Sequence, residues 1–131
     1  MGDGHVYSHV VFTTTRGRPI FLDEAIDAAF KRLAHETARD KGWAILELET
    51  MPNHGHVLIE KAPWESLPRV VDDLKGITAR RLLQRFEWPR GNLHSYHCWN
   101  RGSHYVRHTD ASLATLRAYI RHQRLAGGLA E

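Results

Sequence analysis

The hydrophobic pattern changes period several times along the chain, and each change marks an element. The first apolar run, Val6 to Thr14, sets Val6, Val10, Val11 and Phe12 beside threonines, a strand-favouring composition. Arg16-Gly17-Arg18-Pro19 ends it. From Asp23 the period becomes helical: Ile26, Phe30, Leu33 and Thr37 recur three and four apart, and Gly42 sits where a glycine cap closes a helix. Trp43 to Thr50 returns to alternation, with Ile45 offset from Leu46 and Leu48, and predicts a second strand. Met51-Pro52-Asn53 makes a turn, and a third strand runs from His54 to Glu60. Ser66 caps the next helix, with Pro68 tolerated in its first turn and Val70, Val71, Leu74, Ile77, Leu82 and Phe86 as its apolar stripe. Trp88-Pro89-Arg90-Gly91-Asn92 closes that helix. Between 93 and 108 the signal is weaker: Tyr96, Trp99, Tyr105 and Val106 suggest a strand, with Asn100-Arg101-Gly102 as a turn inside it. Asp110 then caps a last helix bearing Leu113, Leu116 and Ile120, which Gly127-Gly128 stops.

The order β-α-β-β-α-β followed by an extra helix predicts an α+β fold. It is ferredoxin-like, the split βαβ pattern: an antiparallel sheet with helices on one face plus a C-terminal helix. The 131 residues suit one domain, 1–131, on the usual size of about 100–200 residues. Apolar residues make up 42% and charged residues 25%, which excludes disorder of the whole chain. No apolar run has the length of a membrane span, and the N-terminus lacks the features of a signal peptide, so no membrane partner and a cytoplasmic location are expected. The single cysteine, Cys98, excludes a disulfide framework and reads as a buried thiol. Net charge is only +3, but Arg and Lys cluster at Arg16 and Arg18, at Lys75, Arg80, Arg81 and Arg85, and from Arg90 to Arg107. That asymmetry suits a polyanion, and a solvated surface would give the same counts.

Ten histidines are the other oddity of composition. His54 and His56 stand two apart on the third strand, so both imidazoles project from one face, while Gly55 turns to the other and permits a close approach there. Tyr119 and Gln123 stand four apart on the last helix and so lie one above the other. Two imidazoles and an amide oxygen make a metal site with open positions, and the tyrosine would stand one turn from the amide. A phenol with its ordinary pKa of about 10 is a poor nucleophile unless a cation or base assists it. With such help it could attack a phosphodiester and form a phosphotyrosine. Taken separately, the same residues also fit two surface histidines and a tyrosine packed on the rim of the core.

Met51-Pro52-Asn53-His54-Gly55-His56-Val57-Leu58 resembles the metal-binding motif of the small single-tyrosine transposases of insertion sequences, within the His-hydrophobic-His endonuclease superfamily. Tyr119-Ile120-Arg121-His122-Gln123 resembles their catalytic helix, in which the nucleophilic tyrosine precedes the glutamine ligand by four. Val10 to Arg16, Arg18-Pro19-Ile20-Phe21, Leu74 to Arg80, Trp99-Asn100-Arg101-Gly102 and Tyr105-Val106 are similar to further family segments in the family's order. The chain departs from the family at Gly55, where a bulky apolar residue is usual, and at His104. The resemblance implies a metal-dependent enzyme that cleaves and rejoins single-stranded DNA through a 5′-phosphotyrosine on Tyr119. It implies His54, His56 and Gln123 as ligands of Mg2+ or Mn2+, and recognition of hairpins at the element ends. It also implies a homodimer in which the tyrosine helix of one subunit completes the site of the other. Arg16, Arg18, Lys75, Arg80, Arg81 and Arg85 are candidates for phosphate contacts by charge.

Two other functions remain open. One is a non-catalytic single-strand binder of the same fold, a relic or domesticated relative; Trp99 and Tyr105 could stack on unpaired bases, and core packing fits them at least as well. The other is a metal-water hydrolase using Glu49 or Glu60 as base. His9 is expected to pack beside the sheet face of the histidine pair rather than engage it, and His122 to face away from Gln123. His94, His97, His104 and His108 read as surface positions.

Overall fold

In the computed structural model, which describes residues 6–61, 64–86, 99–100 and 104–122, β1 (Val6–Thr13) and β3 (His54–Glu60) form the centre of a four-stranded antiparallel sheet. β2 (Ala44–Met51) lies outside β3 and β4 (His104–Thr109) outside β1, giving the order β2-β3-β1-β4. The expected split βαβ architecture is therefore present.

The face of the sheet bearing Val10, Phe12, Val57 and Ile59 buries against α1 (Glu24–Lys41) and α2 (Leu67–Arg85). Alternation places these four residues on one side of the two central strands. The helices match the sequence pattern. Asp23 caps α1 by accepting from the amides of Ala25 and Ile26 at 2.9 and 3.3 Å, and Gly42 closes it with φ 81°. Ser66 caps α2 by accepting from the amide of Arg69.

α3 (Asp110–Arg121) covers the opposite face. Leu116 and Ile120 pack there with Tyr7 and Leu58, and Leu46 and Leu113 border them. The sheet is thus covered by α1 and α2 on one side and by the last helix on the other.

Two details depart from the sequence pattern. β2 runs one residue later than expected and carries a bulge, with its pairing to β3 shifting between Ile45 and Glu47. The strand expected within 93–108 starts at His104, while Trp99 makes an isolated bridge to Thr14. Residues 93–98, including Tyr96 and Cys98, lie outside the described residues, as do the closing segments at 88–92 and 127–128. Trp99 itself is buried among Phe12, Phe21 and Phe30, with ring centroids 4.9 to 5.8 Å away. Its indole N–H donates to the Lys75 carbonyl at 3.1 Å and to Thr78 Oγ1 at 3.3 Å, which satisfies its one polar atom. It is a core residue and not a base-stacking platform.

Gly55 lies opposite Phe12 across the central strand pair. A Cβ at position 55 would stand 2.8 Å from Phe12 Cζ and 3.0 Å from Cε2, closer than two carbons can approach. The missing side chain is what lets the Phe12 ring lie over β3 and join the aromatic cluster. Gly55→Ala should therefore destabilise the fold by about 1–3 kcal/mol through overpacking, read as a lower urea midpoint at unchanged m. Adding Phe12→Leu should make the double variant less unstable than the sum of the two single variants; strict additivity would refute the contact.

Candidate functional site

The second face of the sheet carries the chemistry. His54 and His56 project from it together, with ring centroids 5.1 Å apart. His56 is buried and His54 only partly so. The register Val11↔His56 and His9↔Leu58 puts His9 on the same face, one diagonal step from His56. His9 Nε2 lies 3.0 Å from His56 Nδ1, and the two rings meet edge to edge, inclined by 27° with centroids 5.2 Å apart. His9 thus engages the pair, contrary to the expectation that it merely packs nearby. The strand alternation was legible, but the cross-strand register that decides the contact was not.

Tyr119 reaches the same place from α3. Its ring stands edge-on to both His9 and His56, with centroids 6.4 Å away in each case. It is 54% exposed, so its ring is open to a large substrate while one edge rests on the histidines. Gln123 lies outside the described residues. His122 is exposed, with Nδ1 2.8 Å from the Ala118 carbonyl.

α3 is held in this position by polar contacts as well as by Leu116 and Ile120. Arg117 Nε and Arg121 Nη2 donate to Glu47 Oε2 at 2.9 and 2.6 Å, and Arg117 Nη2 reaches the Leu46 carbonyl at 3.4 Å. Burial alone would raise the pKa of the Glu47 carboxyl, but hydrogen bonds and charge from Arg121 and Arg117 outweigh it and hold it below the usual carboxylate value. The bulge in β2 immediately precedes this carboxylate.

A second residue missed at the sequence level is Asn53. Its Oδ1 lies 2.9 Å from His54 Nδ1. Its carbonyl accepts from the Thr14 amide at 2.9 Å and from Thr14 Oγ1 at 3.0 Å, which ties the turn before β3 to the exit of β1. A turn residue beside a ligand motif was the available signal.

The donor set fits a metal ion. His56 Nε2 is buried with no hydrogen-bond partner, an expensive state for a polar atom unless something else satisfies it. Among the described residues no group of three His, Cys, Asp or Glu side chains is arranged to hold a metal. Glu49, a candidate base for a hydrolase, instead accepts from Lys31 Nζ at 3.1 Å, in a cluster with Asp27 of α1. The basic candidates differ in setting. Arg16, Arg80, Arg81 and Arg85 are exposed and Arg18 partly so. Lys75 is half-buried, donates Nζ to the Asn100 carbonyl at 2.7 Å, and has its pKa lowered by burial.

A family model described as IS200-like transposase matches residues 4–123. The chain is 26% identical over 125 residues to the ISDra2 transposase TnpA of Deinococcus radiodurans, covering 93% of this chain and 89% of that protein. It is 29% identical over 118 residues to a transposase for insertion sequence element IS200 from Salmonella typhimurium, covering 88% and 74%. Among solved structures, a candidate transposase from Deinococcus radiodurans superimposes with TM-score 0.68 at 26% identity over 89% of each chain. A REP-associated tyrosine transposase bound to a REP hairpin superimposes with TM-score 0.65 at 13% identity, over 96% of this chain and 70% of that one, and so shares the fold.

Burial pushes the His56 imidazole down from 6.5 to about 4, helped by the neighbouring His9 and His54, and burial lowers His54 as well. The unfolded chain then binds protons more readily than the folded one between these values. For the metal-free protein, the contribution of His56 to stability should be complete above pH 6.5 and fall as the pH drops toward 4. Urea unfolding measured across that window should lose part of its pH slope in His56→Gln, and an unchanged slope would contradict the assignment.

Proposed function

The chain belongs to the IS200-like transposases, and on that premise we propose that it cuts and rejoins single-stranded DNA through a covalent bond to Tyr119. His54, His56 and Gln123 would hold a divalent ion, Mg2+ or Mn2+, at the scissile phosphate. The observation that carries the reading is the meeting of the Tyr119 ring edge with His56, whose buried Nε2 lacks a partner.

The metal, when bound, withdraws charge from the phosphate oxygens as the transition state forms. The remaining steps fall to the chain. His54 and His56 fix the place of the phosphate on β3, beside the α3 helix that carries Tyr119. The phenol of Tyr119 gives up its proton as its oxygen attacks phosphorus; the new O–P bond forms as the bond to the 3′-oxygen breaks, and that oxygen takes up a proton to leave as a 3′-hydroxyl, so one proton is lost and one gained. A 3′-hydroxyl from another strand reverses the step and frees the tyrosine. One phosphodiester is exchanged for another, so the reaction consumes no nucleotide, in keeping with the lack of a P-loop sequence.

Hairpin recognition is part of the proposal, supported by the REP-associated transposase of the same fold, which was solved with a REP hairpin. Arg16, Arg18, Arg80, Arg81 and Arg85 are the phosphate contacts proposed for it. Lys75 belongs to the same proposed set, though its ammonium already serves the Asn100 carbonyl. A homodimer sharing tyrosine helices would use the same residues, with α3 exchanged between chains. No helix among the described residues is long and apolar enough to cross a membrane, and we place the enzyme with its DNA in the cytoplasm.

The test is incubation with single-stranded DNA from the element ends, with Mn2+ or Mg2+, followed by a denaturing gel. Wild type should yield a protein–DNA adduct that EDTA suppresses. Tyr119→Phe should yield none, and His56→Ala should reduce the adduct by at least about 10-fold, since loss of a ligand costs no less than loss of a residue behind one. Cleavage of equal extent by Tyr119→Phe would overturn the covalent mechanism.

A further inference from the structure

A neutral imidazole has one nitrogen that donates and one that accepts, and only the accepting nitrogen can bind a metal. Which nitrogen that is depends on the partner of the other. For His54, Nδ1 faces the Oδ1 of Asn53 at 2.9 Å. An amide oxygen only accepts, so the hydrogen of His54 sits on Nδ1 and the lone pair on Nε2. For His56, Nδ1 faces His9 Nε2 at 3.0 Å, and Nε2 is the buried atom without a partner. If His9 accepts, the His56 lone pair also falls on Nε2, and the two histidines match.

Building on the metal reading above, we infer that Asn53 and His9 are positioning residues that fix both histidines in the Nδ1–H tautomer, so that both Nε2 atoms present lone pairs to one ion. The two locks share a support. His9 belongs to β1, and Asn53 is held through its carbonyl by the amide and hydroxyl of buried Thr14, the residue that follows β1. The neighbouring Pro52 carbonyl accepts from the Phe21 amide at 3.1 Å, which fixes the turn from its other side. The first strand thus orients His56 directly and His54 through Asn53. The His9 and His56 rings are inclined by only 27°, so the hydrogen bond lies close to both ring planes, as a directed N–H···N contact requires.

The test reads tautomers without metal and affinity with it. Long-range proton–nitrogen spectra of the metal-free full chain should show His54 and His56 both protonated at Nδ1. His9→Phe keeps an aromatic ring in place but removes the acceptor; it should shift His56 toward the Nε2–H form and weaken Mn2+ binding, followed by electron paramagnetic resonance, by about 10–100-fold. His9→Gln supplies an acceptor oxygen and should restore both readouts, which a merely structural role of the ring would not do. Asn53→Leu should shift His54 alone. A wild-type His56 protonated at Nε2 would overturn the inference, and this spectrum decides the matter even if His9→Phe fails to fold. Unchanged tautomer and affinity in a folded His9→Phe would overturn it too. Mn2+ affinity unaltered by His56→Gln would instead sink the metal reading, leaving the tautomer lock to stand or fall on the spectra alone.

Discussion

The antiparallel register between β1 and β3 is the constraint on which the rest of the structure depends. It sets Phe12 against Gly55 on one face and brings His9 within a diagonal step of His56 on the other. Because side chains alternate with a period of two, a slip of one residue would move the aromatic contact and the histidine contact together, each to the wrong side. The packing of the core and the assembly of the site are therefore two readings of one alignment. Gly55 has a part in both. Its absent side chain admits the Phe12 ring below, and its place between two histidines sets both imidazoles above.

The two faces of the sheet have different tasks. Beneath it, Phe12, Phe21, Phe30 and Trp99 form an aromatic cluster that α1 and α2 enclose. Above it, a smaller apolar cluster seats α3, and beside it polar groups direct one another: Asn53 faces His54, His9 faces His56, and Glu47 receives two arginines of α3. Rigidity comes from the lower face, and the upper face uses it to hold ring nitrogens at fixed positions.

Much of this was legible in the sequence, for identifiable reasons. Asp23 and Gly42 mark α1 because capping is local chemistry, and the facing of His54 and His56 follows from strand alternation alone. The order of elements was enough for the four-stranded sheet. The engagement of His9 needed a register, which no local pattern encodes. The bulge in β2 and the burial of Trp99 also depend on distant partners, Leu58 in one case and the α2 residues Lys75 and Thr78 in the other. Asn53 reads as an ordinary turn residue until the chain brings Thr14 to its carbonyl.

The fastening of α3 carries a consequence for how the molecule opens. Its apolar anchorage joins Leu113, Leu116 and Ile120 to Tyr7, Leu46 and Leu58, and its ion pairs to the mostly buried Glu47 use partly exposed arginines. Exposed pairs weaken as salt rises, whereas the aromatic cluster below the sheet does not share that sensitivity. The tyrosine therefore rides on an element whose attachment to the sheet is in part ionic. An attachment of that kind is one that ionic strength can loosen without unfolding the sheet.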